Sequence, residues 1–272
     1  MTNILAISNV HGRFNELHAL LGNIHSHYNF EEFDQVIFMG DYIGYGDQNE
    51  QVIRFLMDLK KTYPHVTLLQ GHWEMLLWQN MRLEDQMYKE VALKHFEKEK
   101  QLGMLLSLKQ NETLVEEWLN EIENMKWYCI EKDFIFTHAG IDLSQWKKDM
   151  DIHYFMEHVQ EKHDMVWATC FQEDYILYWT NKLTRNIHIF EPFPYKVVFG
   201  HVPIHQLQRE AKETTYTQPF HLGNVYGIDF GAYSSEGSLG AVIFQDNGIK
   251  TYVEKVKNLE EMKKIEEAKE IS

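Results

Sequence analysis

The chain has 272 residues and a formal net charge of −15. That length suits one large domain or two small ones with ample core, and the acidity argues against nonspecific binding to duplex nucleic acid or to an anionic membrane. It does not exclude an anionic substrate, because a local metal site reverses the field around it.

In chain order, Asn3 to Ser8 is a short apolar run that ends in a polar loop, Asn9 to Arg13. Phe14, Leu17, Leu20, Leu21 and Ile24 then recur at helical spacing, which predicts strand, loop, helix. Phe33 to Met39 predicts a second buried strand, ending at Gly40-Asp41. A Gly-rich loop to Gly46 and a helix carrying Val52, Ile53, Leu56 and Leu59 follow it. Val66 to Leu69 predicts a third strand, ending at Gly71-His72. Three successive strand–loop–helix units imply an α/β chain with a mostly parallel sheet.

Met75 to Met125 is rich in Leu, Glu, Lys and Met, has no Pro, and predicts a helical insertion over the sheet. Tyr128 to Thr137 returns to strand character and ends at His138-Ala139-Gly140. A helical stretch, Ser144 to Leu183, comes next. Lys196 to Phe199, Val225 to Asp229 and Leu239 to Phe244 complete the strands. Nothing marks an internal linker, so the expectation is one domain over 1–250 and a charged, helix-prone tail over 251–272.

The two cysteines, Cys129 and Cys170, match no metal or redox spacing and read as reduced buried thiols. The first residues lack the basic and apolar regions of a signal peptide, and no apolar run approaches membrane-spanning length. A cytoplasmic protein without a membrane partner is expected.

Five strands end in a polar dyad or triad: Asn9-Val10-His11-Gly12, Gly40-Asp41, Gly71-His72-Trp73-Glu74, His138-Ala139-Gly140 and Gly200-His201. The carboxyl ends of neighbouring parallel strands form one crevice, where ligands bind. The strand order therefore gathers His11, Asp41, His72, His138 and His201. Four imidazoles and a carboxylate suit a divalent transition metal, with Mn, Fe and Zn as the candidates. A single strand-end histidine is usually structural, and the chain has 15 histidines, so the weight lies on the set being in phase with successive strands. His95 and nine others show no such context.

The stretches "AISNVHGRFNEL", "VIFMGDYIGYGD", "VTLLQGHWEMLL", "FIFTHAGI", "VVFGHVPIH" and "YGIDFGAYSSEGSLGAV" resemble, in order, the sequence blocks of the calcineurin-like metallophosphoesterases. The branch they look most like is that of bacterial serine/threonine protein phosphatases and diadenosine tetraphosphatases. The resemblance runs from Ile4 to about Phe244. It implies a four-layer α+β sandwich, with mixed sheets flanked by helices and a helical insertion. It also implies a two-metal site, in which the metals turn a bridging water into hydroxide for attack on phosphorus; one or two ions are expected in this chain. By position, Asn9 and His11 fall to the first metal, Asp41 to the bridge, and His138 and His201 to the second metal or its water. The implied ligand is a phosphoester or nucleotide, with a phosphoprotein as the further partner.

The chain departs from the family pattern in several places. Asn9 stands where the first Asp is usual, which removes an anionic ligand. His72 stands where an Asn ligand is usual, and Trp73 where the acid–base His is usual. An indole N–H donates a hydrogen bond but does not shuttle protons, and general acid catalysis typically contributes about 10²–10⁴-fold. His72 reads either as a ligand or, after a one-residue slip, as the catalytic acid beside Asp41. The usual phosphate-clamping Arg is missing from Gly40-Asp41-Tyr42-Ile43-Gly44-Tyr45-Gly46, and Asn181 replaces a second one. Arg13, Lys182 and Arg185 are candidate replacements, each also readable as a plain surface charge. Tyr45 and Trp73 are the candidate substrate-facing rings, the bland reading of Trp73 being core packing. Asp229 reads as structural support. Two functions remain in view: an atypical metal-dependent phosphoesterase, and a catalytically impaired relative that binds phospholigands or proteins.

Overall fold

A computed structural model describes residues 2–141, 146–160, 193–207 and 217–257. Most of the Ser144–Leu183 stretch, Cys170, Asn181, Lys182, Arg185 and the tail beyond 257 lie outside the described residues. Of the expected helix after Ser144, Ile152–Tyr154 is α-helical and Phe155–Val159 continues as a π-turn.

The first three units form as expected. Strand β1 (Asn3–Ile7) leads to helix α1 (Phe14–His25), β2 (Gln35–Phe38) to α2 (Asn49–Thr62), and β3 (Val66–Leu68) to α3 (His72–Arg82). The three strands pair in parallel, with Ile7 opposite Phe38 and Phe38 opposite Leu68. Two later strands, β9 (Ser238–Gln245) and β10 (Gly248–Lys255), join antiparallel on the other side of β1. The first sheet is thus ordered β10-β9-β1-β2-β3.

Strand β10 corrects the expected boundary. A cut at 250 falls inside a strand, and Thr251–Lys255 extend a sheet rather than start a helical tail. Its face is only half-buried, so the apolar signal is weak, and its pairing with β9 is what makes it a strand.

The insertion continues α3 with α4 (Gln86–Lys98), α5 (Leu102–Gln110) and α6 (Glu112–Glu123). Asp85 and Asn111 cap α4 and α6 by accepting the main-chain N–H of Met87 and Leu114. Trp118 on α6 is fully buried and meets Tyr42 edge-on.

A second sheet follows: β4 (Tyr128–Glu131), β5 (Phe134–Thr137), β6 (Lys196–Pro203), β7 (Phe220–Leu222) and β8 (Val225–Asp229), ordered β4-β5-β6-β8-β7. Here β5, β6 and β8 run parallel, while β4 and β7 are antiparallel edges.

The sheets pack face to face through side chains of alternating residues. Ile4, Ala6, Ile37, Met39, Val242 and Phe244 of one sheet meet Phe134, Phe136, Val198 and Ile228 of the other. The intervening residues Leu5, Ile7, Val36, Phe38, Ile135, Val197 and Phe199 turn outward into a second core shared with the helices. Burial on both faces explains why these strands read as unbroken apolar runs rather than alternating ones. The result is a helix–sheet–sheet–helix sandwich. The site loops therefore come from two sheets, where one parallel sheet is the simplest reading of the sequence.

Candidate metal centre

The loops after β1, β2, β3 and β5 and the irregular part of β6 meet at one end of the sandwich. Their backbone is unusual. Asn9, His11, Asp41 and His201 all have positive φ, at 55°, 51°, 54° and 61°. Only two other non-glycine residues among those described share this, Lys100 and Lys132. Left-handed backbone costs about 1–3 kcal/mol per residue and persists where the surroundings over-determine it. Here the strain aims side chains inward: the β6–β8 register shifts between Phe199 and Pro203, which turns His201 toward the crevice.

Two close approaches need glycine. A Cβ on Gly200 would lie 1.8 Å from Ser8 Oγ and 2.5 Å from Asn9 Oδ1, so a side chain there would part the two sheets. A Cβ on Gly71 would lie 2.0 Å from the main-chain nitrogen of Asp41.

Asp41 is the hub. Its Oδ1 accepts the Trp73 main-chain N–H at 2.9 Å. Its Oδ2 lies 3.4 Å from His138 Nε2, 3.6 Å from His201 Nδ1 and 3.2 Å from Asn9 Nδ2. His138 Nδ1 donates to the Met39 carbonyl at 2.7 Å, which leaves the Nε2 lone pair facing the crevice, 3.0 Å from His201 Nδ1. One oxygen and two imidazole nitrogens thus lie within 4.8 Å of one another. A buried carboxylate with two imidazoles, one already fixed through its far nitrogen, is a donor set that fits a divalent transition metal.

The electrostatics agree. Burial alone would raise the Asp41 carboxyl, but charge on His138 and hydrogen bonds from His138 and His201 hold it well below the usual carboxylate range. Burial works against the His138 cation, yet Asp41 raises it above the ordinary histidine value. Burial lowers His201 and takes His11 down to about 4.

The other residues singled out from the sequence surround this triad. Asn9 donates to the same Asp41 Oδ2, and His11 lies beyond it: Asn9 Nδ2 is 3.4 Å from His11 Nε2, and His11 Nδ1 donates to the Ile43 carbonyl at 3.3 Å. His72, the first residue of α3, is buried with its ring 5.5 Å from that of His201, and it stands outside the converging triad. Arg13 is half-buried and ties its Nε to the Ala232 carbonyl at 3.2 Å. Tyr45 stands over the centre, its ring 5.1 Å from His11 and 5.5 Å from Trp73, and its hydroxyl reaches Glu99 in the insertion. Asn49 holds this loop, accepting the Gly44 N–H and donating to the Gly46 carbonyl. A cleft of about 660 Å³ opens beside Tyr45, between the start of α2 and the α4–α5 turn.

Trp73 is corrected. As a substrate-facing ring it would need an open face, but it is 2% exposed and packs against Tyr45, His95 and Phe96. The bland reading holds: the insertion closes over the indole.

Three further residues matter. Glu74 is fully buried, and its carboxylate accepts the N–H groups of Asp41, Tyr42 and Ile43. Asp229, at the end of β8, accepts the Gly231 N–H, and burial, helped by Asp41, pushes it up to about 7. His95 has no strand-end context in the sequence. It lies on α4, half-buried, with its ring 4.7 Å from His72 and 5.7 Å from Trp73. The one signal for it is its place with buried Ala92 and Phe96 on the inner helix face.

Residues 2–253 match the family model of the calcineurin-like phosphoesterases. The chain belongs to that family. Solved structures agree on the fold of this phosphoesterase. A yeast (Saccharomyces cerevisiae) protein serine/threonine phosphatase with similarity to human PP5 is 14% identical over 94% of this chain and 81% of its own, with a TM-score of 0.58. A protein described as a candidate diadenosine tetraphosphatase is 16% identical over 93% of this chain and 94% of its own, with a TM-score of 0.52. A metallophosphoesterase from Sphaerobacter thermophilus is 15% identical over 94% and 88%, with a TM-score of 0.50. No curated protein matches the chain by sequence. Among the described residues, no helix is long and apolar enough to cross a membrane.

Proposed function

We propose that this calcineurin-like phosphoesterase hydrolyses a phosphoester at a divalent metal held by Asp41, His138 and His201, with His72 beside them. The observation that carries the reading is the convergence of Asp41 Oδ2, His138 Nε2 and His201 Nδ1, with His138 oriented by the Met39 carbonyl. Mn, Fe and Zn all suit a carboxylate–imidazole set. A bound ion of this kind supplies Lewis acidity and a water acidified toward neutral pH.

The chain's own residues do the rest. Glu74 fixes the Asp41 loop through three main-chain N–H groups. Arg13, anchored through Nε, offers its terminal nitrogens to the phosphate. Tyr45 walls both the centre and the adjoining cleft, which has room for the remainder of a small phosphoester, a nucleotide or a phosphopeptide segment of a phosphoprotein. The net charge of −15 keeps duplex nucleic acid and anionic membranes off the partner list, and a cytoplasmic location goes with this reading.

A second reading is a binding module that retains a phospholigand without turning it over. Two features favour it: a buried indole stands where the family resemblance expects the acid–base imidazole, and Asn9 stands where it expects a ligand carboxylate.

The deciding experiment is hydrolysis of p-nitrophenyl phosphate by chelator-stripped protein titrated with Mn²⁺, beside Asp41→Asn. Metal-dependent turnover lost in Asp41→Asn supports the hydrolase. Metal retained with no turnover above that control supports the binding module.

A further inference from the structure

By the family resemblance Asn9 stands at the position of a first-metal ligand, and all the hydrogen-bonding atoms of its amide are committed. Its Oδ1 accepts the main-chain N–H of His201 at 2.9 Å and the Ser8 hydroxyl. A main-chain N–H only donates, so the atom facing it must be the oxygen, and the orientation of the amide follows. Its Nδ2 then lies 3.2 Å from Asp41 Oδ2 and 3.4 Å from His11 Nε2.

The His11 tautomer is fixed independently. Its Nδ1 faces the Ile43 carbonyl at 3.3 Å, which only accepts, so Nδ1 carries the proton and Nε2 offers a lone pair. The two hydrogens on Asn9 Nδ2 therefore meet two acceptors, one on His11 and one on Asp41. Donors and acceptors alternate from Ile43 through His11 and Asn9 to Asp41 without a mismatch.

An aspartate at this position would set a second acceptor oxygen against the His11 lone pair and the Asp41 carboxylate. A metal ion between them would relieve that, as would a proton taken up by His11 or by one of the carboxyls. The asparagine needs neither, and an N–H is not a metal ligand. His138 Nε2 and His201 Nδ1 lie 3.4 Å and 3.6 Å from that same Asp41 Oδ2 and 3.0 Å from each other, and neither is opposed by an added acceptor there.

We propose that this chain is a single-metal member of a two-metal family: one ion binds at Asp41, His138 and His201, and the Asn9 amide stands in for the other. This rests on the triad being a metal site, as argued above, but not on any turnover. His11 is then a positioning residue that holds Asn9, rather than a ligand.

The test counts metal. Full-length wild type, Asn9→Asp and His11→Ala are stripped with chelator, reloaded with excess Mn²⁺ and desalted. Ions per chain are measured by mass spectrometry, and the Mn²⁺ electron paramagnetic resonance spectrum is recorded. We expect one ion per wild-type chain with the resolved hyperfine pattern of an isolated Mn²⁺. His11→Ala should still hold one ion. Asn9→Asp should gain a second, with the broadened signal of a coupled pair. Two ions in wild type, falling to one in His11→Ala, would overturn the inference and leave the proposed hydrolase intact. No retained ion would overturn the inference and the metal reading together. Asn9→Asp folded, by circular dichroism, yet still holding one ion would overturn the role given to Asn9. Should that variant not fold, the wild-type and His11→Ala counts decide.

Discussion

The Glu74 carboxylate receives the main-chain N–H of Asp41 at 2.8 Å, so a residue in the first turn of α3 fixes the hub of the site. Two more N–H groups, of Tyr42 and Ile43, arrive at the same carboxylate. Burial and the nearby Asp41 charge push Glu74 up to about 7, and the hydrogen bonds oppose them. Glu74→Gln would turn an amide N–H toward main-chain donors. It is expected to weaken metal binding by about 10–100-fold and to cost about 1–3 kcal/mol of stability. Calorimetric titration with Mn²⁺ and chemical denaturation check the two effects; unchanged affinity would detach Glu74 from the site.

Trp73 separates packing from substrate contact. The indole is buried among Tyr45, His95 and Phe96. Trp73→Ala should destabilise the fold by about 3–5 kcal/mol, whereas Trp73→Phe should keep most of the stability and the metal affinity. A Trp73→Ala protein of wild-type stability that had lost only substrate affinity would restore the substrate-facing role.

His95 is the half-buried imidazole next to Trp73, at 5.7 Å between ring centres. If it protonates the leaving oxygen that Trp73 cannot, His95→Asn should slow phenyl phosphate on the order of 10²-fold while p-nitrophenyl phosphate, whose leaving group needs no proton, changes little. Equal slowing of both substrates would assign His95 to packing.

Asp229 predicts a pH dependence of stability. Its carboxyl is raised from 3.8 to about 7 by burial and by Asp41. The folded state therefore binds a proton that the unfolded state has released. The stabilisation is full below the unfolded value and is lost as pH rises toward the folded one. In chelator-stripped protein, Asp229→Asn keeps the acceptor for Gly231 and removes this loss. Wild type should fall relative to the variant by on the order of 2–4 kcal/mol between about pH 4 and 7. Parallel melting curves for the two proteins across that range would contradict this.

Much of the fold was legible in the chain. Strands buried on both faces must be apolar at every position, so Ile4–Ile7, Val36–Met39 and Val197–Phe199 announced themselves. The polar dyads after the first two marked where those strands stop, whereas β6 runs on through Gly200-His201 to Pro203, and the structure brings Asp41, His138 and His201 together. Strand β10 was not legible, because its half-buried face carries no clear pattern.

What the sequence by itself determined is the order of elements, the family pattern and the residues available for chemistry. Local spacing and burial write these directly into residue types. What only the tertiary structure decided is which of those residues meet. The dry packing of two sheets places His138 and His201 against Asp41, the closure of α4 over α3 buries Trp73 and delivers His95, and the His201 N–H dictates which way the Asn9 amide points. Such choices depend on partners outside any local stretch, as far apart as 192 residues for His201 and Asn9, which no local pattern encodes.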